Sequence, residues 1–353
     1  MKKSLVAILG LLSTISLSFS LPALATTAPP PGVTVGNIVS GMNVSSPFKL
    51  QAIATTCVTG SPTKTMGYSW DSQPNAAVYI ATSIDAMVTA PSLGAHTLKV
   101  KCWGGSGTSN VTNVAVNVTT GPAIPATASV FQQVQQNGNW AFKHDPATSG
   151  TSTATSELVS SPTLSGTARE FDLQFTSNGG ELFSDNYGTD STDTNWVLDE
   201  QVYISGAGAG AAGLANIEMD LNQVISDGDT TIYAFQCSGW SGLWEYTTNT
   251  GTNTSPIVTW NKSTTVCPAP KTWDTNVWHH VQIVESRDAV GNVTYQEVWL
   301  DGVQYPLVNA VGPSAFTLKW AAGALVTNFQ LDGLGASGSV TAYVDNLNIY
   351  HWS

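Results

Sequence analysis

The chain has 353 residues, of which 10% are charged, with 24 Asp and Glu against 12 Lys and Arg and a formal net charge of -12. So sparse and negative a surface excludes nucleic acid and other polyanions as partners, because their recognition needs clustered cations. Hydrophobic residues at 42%, with 12 Trp, 10 Tyr and 10 Phe, exclude a disordered chain and leave apolar mass for substantial cores.

In chain order, Lys2 and Lys3 precede an apolar run from Leu5 to Phe19 and then Pro22-Ala23-Leu24-Ala25. A charged start, a short apolar stretch and an A-x-A ending predict a secretory signal peptide over 1–25. The run is shorter than the roughly 18 residues a membrane span needs, so the expectation is an exported protein with no membrane span. Residues 26–32 form a Pro-rich leader, and a second Pro/Gly/Ala stretch over 119–129 reads as a linker.

Between them, over 33–118, short alternating segments such as Phe48-Lys-Leu-Gln-Ala-Ile-Ala and Val114-Ala-Val-Asn-Val are broken by Gly, Pro, Asn and Ser. Period-two alternation with frequent breakers predicts a β-sandwich. Cys57 lies thirteen residues before Trp70, with Cys102 further on. With these residues and the Leu93-Gly94-Ala95-His96-Thr97-Leu98 entry to a late strand, the segment resembles bacterial immunoglobulin-like modules. Such a fold stitches its sheets with a disulfide beneath a Trp. Val100 stands where a tyrosine corner would sit.

From 130 to 353 the strands lengthen and ten of the twelve Trp occur. Strands are expected over 170–175, 196–204, 215–224, 231–237, 279–285, 294–300 and 341–350, separated by Gly/Asn/Asp turns. No helix is expected, and about 220 residues suit one large two-sheet sandwich. The predicted class is therefore all-β throughout. Three pairings of Cys57, Cys102, Cys237 and Cys267 are possible. The local one, Cys57–Cys102 with Cys237–Cys267, keeps each bridge within one domain.

The segment Asn216-Ile-Glu-Met-Asp-Leu-Asn-Gln-Val224 carries the main chemical signal. Ile217, Met219 and Leu221 share one strand face, leaving Asn216, Glu218, Asp220 and Asn222 on the other. A row of polar acceptors on an open sheet face suits the hydroxyl groups of a glycan. Glu218-Met-Asp220-Leu-Asn222-Gln223 also resembles the E-x-D-x-x-E strand of concanavalin A-like glucanases, which hydrolyse β-linked glucans with retention. That likeness implies Glu218 as nucleophile and Asp220 as its helper, but puts Gln223 at the acid/base position, reached through a bulge. An amide cannot protonate a leaving group, which counts against hydrolysis by that route. Trp278-His279-His280-Val281-Gln282-Ile283, Tyr295-Gln-Glu-Val-Trp-Leu-Asp301-Gly302-Val303 and the closing Tyr343–Tyr350 are similar to strands of concanavalin A-like and laminin-G-like sandwiches.

Trp240, Trp244, Tyr246 and Trp260 lie between Cys237 and Cys267, and Trp299 lies on the 294–300 strand. A pinned loop with exposed indoles is a platform for sugar rings, so Trp240, Trp244 and Trp299 are the stacking candidates. Trp273, Trp278, Trp320 and Trp352 are assigned to cores. Asp185 and Asp190, in the run up to Asp193, and Asp345 offer oxygen ligands for a structural calcium ion; no other cofactor is expected. His279 and His280 are adjacent and point to opposite strand faces, so they cannot chelate together. The favoured expectation is a secreted protein that binds a neutral polysaccharide or cell-surface glycan through Glu218, Asp220, Asn222, Gln223 and the three Trp. The alternatives are a glycoside hydrolase with an acid from Glu245 or Glu297, a lyase using His280, Gln282, Gln236 and Tyr233, and an adhesion protein with a protein ligand.

Overall fold

The computed structural model describes residues 31–75 and 77–353, so the expected signal peptide and most of the leader lie outside the described residues. The protein is all-β, and helical geometry among the described residues is confined to 3-10 turns of three or four residues. The strands expected from alternation form with slightly wider bounds, for example Leu214–Val224, Thr230–Ser238, Trp278–Arg287 and Ser337–Trp352. Strands missed include Thr151–Val159, whose Ser and Thr carry no apolar alternation, and Ala324–Gly333, whose alternation is clear.

Two sheets face each other over residues 141–352. One runs, in spatial order, through Ala141–His144, Gly180–Thr189, Ala324–Gly333, Leu214–Val224, Thr230–Ser238, Leu243–Asn249 and Val258–Val266. The opposite sheet runs through Thr151–Val159, Ala168–Thr176, Ser337–Trp352, Asn195–Ile204, Trp278–Arg287 and Asn292–Leu300. Every pairing among these strands is antiparallel. Phe171 from the second sheet meets Phe183 and Phe329 from the first at ring-centroid distances of 4.7 and 5.1 Å. These contacts mark the dry interior that holds the layers together, each fully buried Phe contributing roughly 1.5–3 kcal/mol.

A second apolar cluster gathers Phe48, Leu50, Met66, Trp70, Leu98 and Val100 with the Cys57–Cys102 disulfide. The other disulfide joins Cys237 to Cys267, with 5.7 Å between their Cα atoms. The second sheet does not stop at the sandwich edge. Val303–Pro306 pairs with Asn292–Leu300 on one side and, through Val303 opposite Val44, with Met42–Ser45 on the other. Val303 is itself buried in the N-terminal cluster. The Asp301-Gly302 turn fixes this junction. Asp301 Oδ1 and Oδ2 engage the His280 N–H and His279 Nδ1 at 3.0 and 2.8 Å, and its carbonyl accepts from the Lys49 N–H at 2.8 Å. Gly302 has φ +76°, and a Cβ there would stand 2.5 Å from the Pro47 carbonyl, so only glycine fits. The Lys49 ammonium pairs with Asp274 across the same junction and with Asp85 of the neighbouring strand in its own sheet.

On the closing strand, Asp345 is fully buried. Its two oxygens accept from Gln135 Nε2, Thr163 Oγ1, Ser165 Oγ and the N–H groups of Leu164, Ser165 and Asn346. This carboxylate therefore staples the loop around residue 164 and the 3-10 turn Val134–Gln136 to the last strand.

Candidate functional site

The open face of the first sheet is a cleft of about 1090 Å³, larger than most small-molecule pockets. Its floor follows from alternation in two neighbouring strands. In Leu214–Val224, Ile217, Met219 and Leu221 enter the core while Asn216, Glu218, Asp220 and Asn222 line the cleft. In Ala324–Gly333, Leu325, Phe329 and Leu331 go inward and Asn328, Gln330 and Asp332 line the cleft. Register places Asp332 beside Asn216, Gln330 beside Glu218 and Asn328 beside Asp220. On the other side, Gln236 stands beside Glu218 and Glu245 beside Gln236. The six-residue step from Asn216 to Asn222 spans about 20 Å, long enough for several sugar rings.

Above this polar floor stand three partly exposed indoles, Trp240 (62%), Trp260 (37%) and Trp320 (40%). Trp240 lies in the turn that follows Ser238, at the Asn216 end. Trp320 follows Phe316, which pairs with Thr230 at the Asn222 end. Trp260 lies on the edge strand Val258–Val266. The cleft thus combines hydrogen-bonding groups on its floor with flat apolar faces on its walls.

Its electrostatics are one-sided. Asp145, Glu218, Asp220, Glu245 and Asp332 line the cleft with Lys143 as the one cation among the lining residues. Burial pushes the Glu218 carboxyl well above the usual carboxylate range, and the neighbouring charges of Asp220, Asp332 and Asp145 push it further. Burial also raises Asp220, opposed by hydrogen bonds from Glu218, Asn328 and the Phe235 N–H. Asp332 is raised by burial against the hydrogen bonds of Asn216 and Gln330. Of the Glu218–Asp220 pair, Asp220 has the donors, so a shared proton resides on Glu218.

Several expected site residues lie elsewhere. Gln223 does not enter the cleft: the strand pairing is regular from Asn216 to Gln223, so alternation turns Gln223 into the interior. There its Oε1 accepts from Arg287 Nε at 2.7 Å and from the Tyr233 hydroxyl at 3.3 Å. Without a bulge, the next cleft-facing position after Asp220 is Asn222, again an amide. Trp244 is not a stacking residue; it is fully buried and lies face to face with Phe235 at 5.2 Å. Trp299 is buried on the opposite sheet, where its indole N–H donates to Glu297 at 2.8 Å. Glu297, which also accepts from Gln304, is therefore removed from the cleft as a proton donor. Trp320, assigned to a core from sequence, stands on the cleft wall.

The lyase set is scattered. Gln236 lines the cleft, Tyr233 is in the core, and His280 and Gln282 bind Asp199 at 2.7 and 2.9 Å on the opposite sheet. The three calcium candidates do not form one site. Asp345 is saturated with donors, which overcome the cost of its burial and hold it below the usual carboxylate range. Asp185 accepts from Asn137 at 2.7 Å, and Asp190 caps the N–H groups of Thr192 and Asp193. Asp190, Asp193 and His351 do converge within 4.8 Å. Their contacts are explained by protein partners, with His351 Nδ1 at 2.6 Å from Asp193 and Ser353 Oγ donating to the same carboxylate.

No family model and no curated protein match the sequence. Among solved structures, the chain is similar to carbohydrate-binding modules of the β-sandwich superfamily at 11% identity, over 91% of this chain and 98% of that one, with a TM-score of 0.31. It is similar to the family 11 carbohydrate-binding module of Clostridium thermocellum, in complex with a β-1,3-1,4-mixed-linked tetrasaccharide, at 10% identity over 65% and 96% of the two chains, with a TM-score of 0.30. The lectin-like defence protein arcelin-5 of Phaseolus vulgaris matches at 10% identity over 64% and 99%, with a TM-score of 0.33. All three superpose weakly, and the sandwich is read from this chain's own strand order.

Proposed function

We propose that the protein is an exported binder of a neutral polysaccharide, held in the cleft over Glu218, Asp220 and Asn222 between Trp240, Trp260 and Trp320. One observation carries this reading: a long floor of carboxylates and amides beneath three accessible indoles on a rigid sheet. Sugar hydroxyls donate to the floor, and the apolar faces of the rings stack on the walls. Asp145, Asp220, Glu245 and Asp332 against one lysine disfavour uronic or sulfated chains, so the favoured ligand carries no negative charge. The two disulfides agree with an oxidising compartment.

Hydrolysis is the second reading, and it now rests on Glu218 with Glu245. These stand in one cross-strand row with Gln236 between them. Two strand spacings separate their backbones by about 9.5 Å. Glu245 already accepts from Gln236 Nε2 at 2.8 Å, which favours a fixed acceptor over a proton donor.

Incubation of the full chain with a panel of soluble and insoluble polysaccharides separates the readings. Depletion of protein from the supernatant, without released oligosaccharides, supports a binding protein. Released products would move the assignment to hydrolysis, and retention only on acidic glycans would contradict the charge argument.

A further inference from the structure

Away from the cleft, in the N-terminal β unit, one side-chain cluster joins a hydroxyl, an imidazole and a carboxylate in series. Ser92 Oγ lies 3.1 Å from His96 Nε2, and His96 Nδ1 lies 2.8 Å from Asp71 Oδ2. Asp71 follows the strand Ser61–Trp70, and His96 lies on its neighbour Gly94–Gly104, so strand pairing brings the acid to the ring. Asp71 is clamped there: its N–H donates to the Thr97 carbonyl and its Oδ1 accepts from the Thr97 N–H, each at 2.8 Å. The bonds to His96 and Thr97 hold its carboxyl below the usual carboxylate range. A carboxylate only accepts, so Nδ1 carries the hydrogen of the neutral ring and Nε2 turns its lone pair to the Ser92 hydroxyl. The His96 side chain is largely covered and meets Trp70 edge-on at 6.1 Å. Trp70 Nε1 in turn donates to the Thr89 carbonyl at 3.2 Å, which pins the chain just before Ser92. Among the described residues, Ser92 Oγ has no partner besides His96, and the N–H groups of Ser92 and Leu93 donate to no protein acceptor. Ser152 shows the contrast. It touches His144 Nδ1 at 2.6 Å, but its hydroxyl is also engaged by the Gly180 carbonyl and Glu181, and that nitrogen reaches the same carbonyl.

We propose that Ser92, His96 and Asp71 form an esterase site, with Ser92 as nucleophile, His96 as general base and Asp71 as the residue that positions the ring. Ser92 Oγ bonds to the ester carbonyl carbon while its proton passes to His96 Nε2. The free N–H groups of Ser92 and Leu93 are the donors beside the carbonyl oxygen as it gains charge. The bond from that carbon to the alcohol oxygen then breaks, and the leaving alkoxide takes the proton from Nε2. Water repeats the exchange: it gives a proton to Nε2, bonds to the acyl carbon and releases the carboxylic acid, and Nε2 returns the proton to Ser92 Oγ.

The setting defines the substrate class. Pro91, Ser92 and Leu93 are exposed, and a Cβ at Gly94 would meet nothing within 4 Å. So open a hydroxyl admits a bulky alcohol but gives little wall to an acyl chain, which selects esters of short carboxylic acids. Alkoxides leave more readily than amines, so an exposed site of this kind suits esters over peptide bonds.

The test treats the full chain with a fluorophosphonate probe, whose phosphorus the Ser92 oxygen attacks with loss of fluoride, and with p-nitrophenyl acetate. Peptide mass spectrometry is expected to place a single adduct on Ser92 and none on Ser152. Ser92→Ala, at an exposed position, should melt as the wild type does and lose both the adduct and the release of p-nitrophenol above background. His96→Gln should slow both reactions by roughly 10²-fold or more, the usual contribution of a general base. Should that variant unfold, because the ring packs on Trp70, Asp71→Asn decides. It keeps the side-chain volume and should slow labelling by about tenfold or more, while the imidazole 15N shifts report loss of the Nδ1–H form. Wild-type release no faster than that of Ser92→Ala, an adduct spread over other serines, or labelling of Ser92 that neither His96→Gln nor Asp71→Asn slows would overturn the proposal and leave His96 as a staple between two strands. None of these outcomes bears on retention by polysaccharides, so the cleft reading stands or falls separately.

Discussion

Two buried carboxyl groups of this protein have opposite surroundings. Asp345, on the closing strand, receives hydrogen bonds from five residues besides itself and is held in its charged form. Glu218, on the cleft floor, receives none from the amides beside it and is pushed towards its neutral form. The aromatics divide in the same way. Trp244 lies flat on Phe235 inside the sandwich, while Trp240, Trp260 and Trp320 keep faces open to the cleft. Groups whose valences the fold fills hold the fold together. Groups whose valences it leaves open, on a rigid sheet, are available to a ligand.

The largest expected effect falls on the filled side. Trp244→Ala removes a fully buried indole from the core and should destabilise the chain by about 3–5 kcal/mol in denaturant unfolding. A Trp244→Ala protein of unchanged stability with weakened glycan retention would put Trp244 back on the binding surface. Asp345→Asn comes next. It keeps the volume but loses the charge that six donors address, at a cost of about 2–4 kcal/mol. Because the folded pKa of Asp345 is depressed, its contribution is present above the unfolded carboxylate pKa and lost as pH falls through the folded one. The wild type and Asp345→Asn should therefore converge in stability on acidification; a constant gap would mean the charge is irrelevant.

On the open side, Trp320→Ala should cost roughly 1–2 kcal/mol of binding, a five- to thirtyfold loss of affinity. Its stability should stay within about 0.5 kcal/mol of the wild type, as for exposed positions generally. Loss of stability with unchanged binding would return Trp320 to the core assignment that its sequence context suggested.

The cleft floor was legible because alternation is a local property. Ile217, Met219 and Leu221 needed an interior, so Asn216, Glu218, Asp220 and Asn222 had to face away from it. The same alternation in Leu325-Val-Thr-Asn328-Phe-Gln330-Leu-Asp332 supplies the second polar row. Within Leu243–Asn249, alternation buries Trp244 and Tyr246 and turns Glu245 outward, against the picture of a loop with exposed indoles. Gln223 shows the limit of motif matching. Its place depended on a bulge, and what fixes it is Arg287, 64 residues away in sequence. Trp320 lies outside any strand, where periodicity assigns no face. The sheet continuity through Val303 and Val44 was equally hidden, since pairing between distant segments leaves no local trace.

The smallest effect gives the sharpest form of the comparison. Glu218→Gln keeps the side-chain volume and removes a group that is hard to ionise in the folded cleft. Since its folded pKa is raised, the wild-type carboxyl favours the folded state fully only below the unfolded value of about 4.3 and loses that support as pH rises towards the folded one. The variant should therefore match the wild type at acid pH and exceed it by roughly 0.5–2 kcal/mol at neutral and alkaline pH, the gain typical of relieving a functional site. Paired denaturant melts at the two pH values read this difference. A loss at neutral pH would show that Glu218 is bonded into the fold as Asp345 is, and the line between filled and open carboxyls would then have to be drawn elsewhere on the sheet.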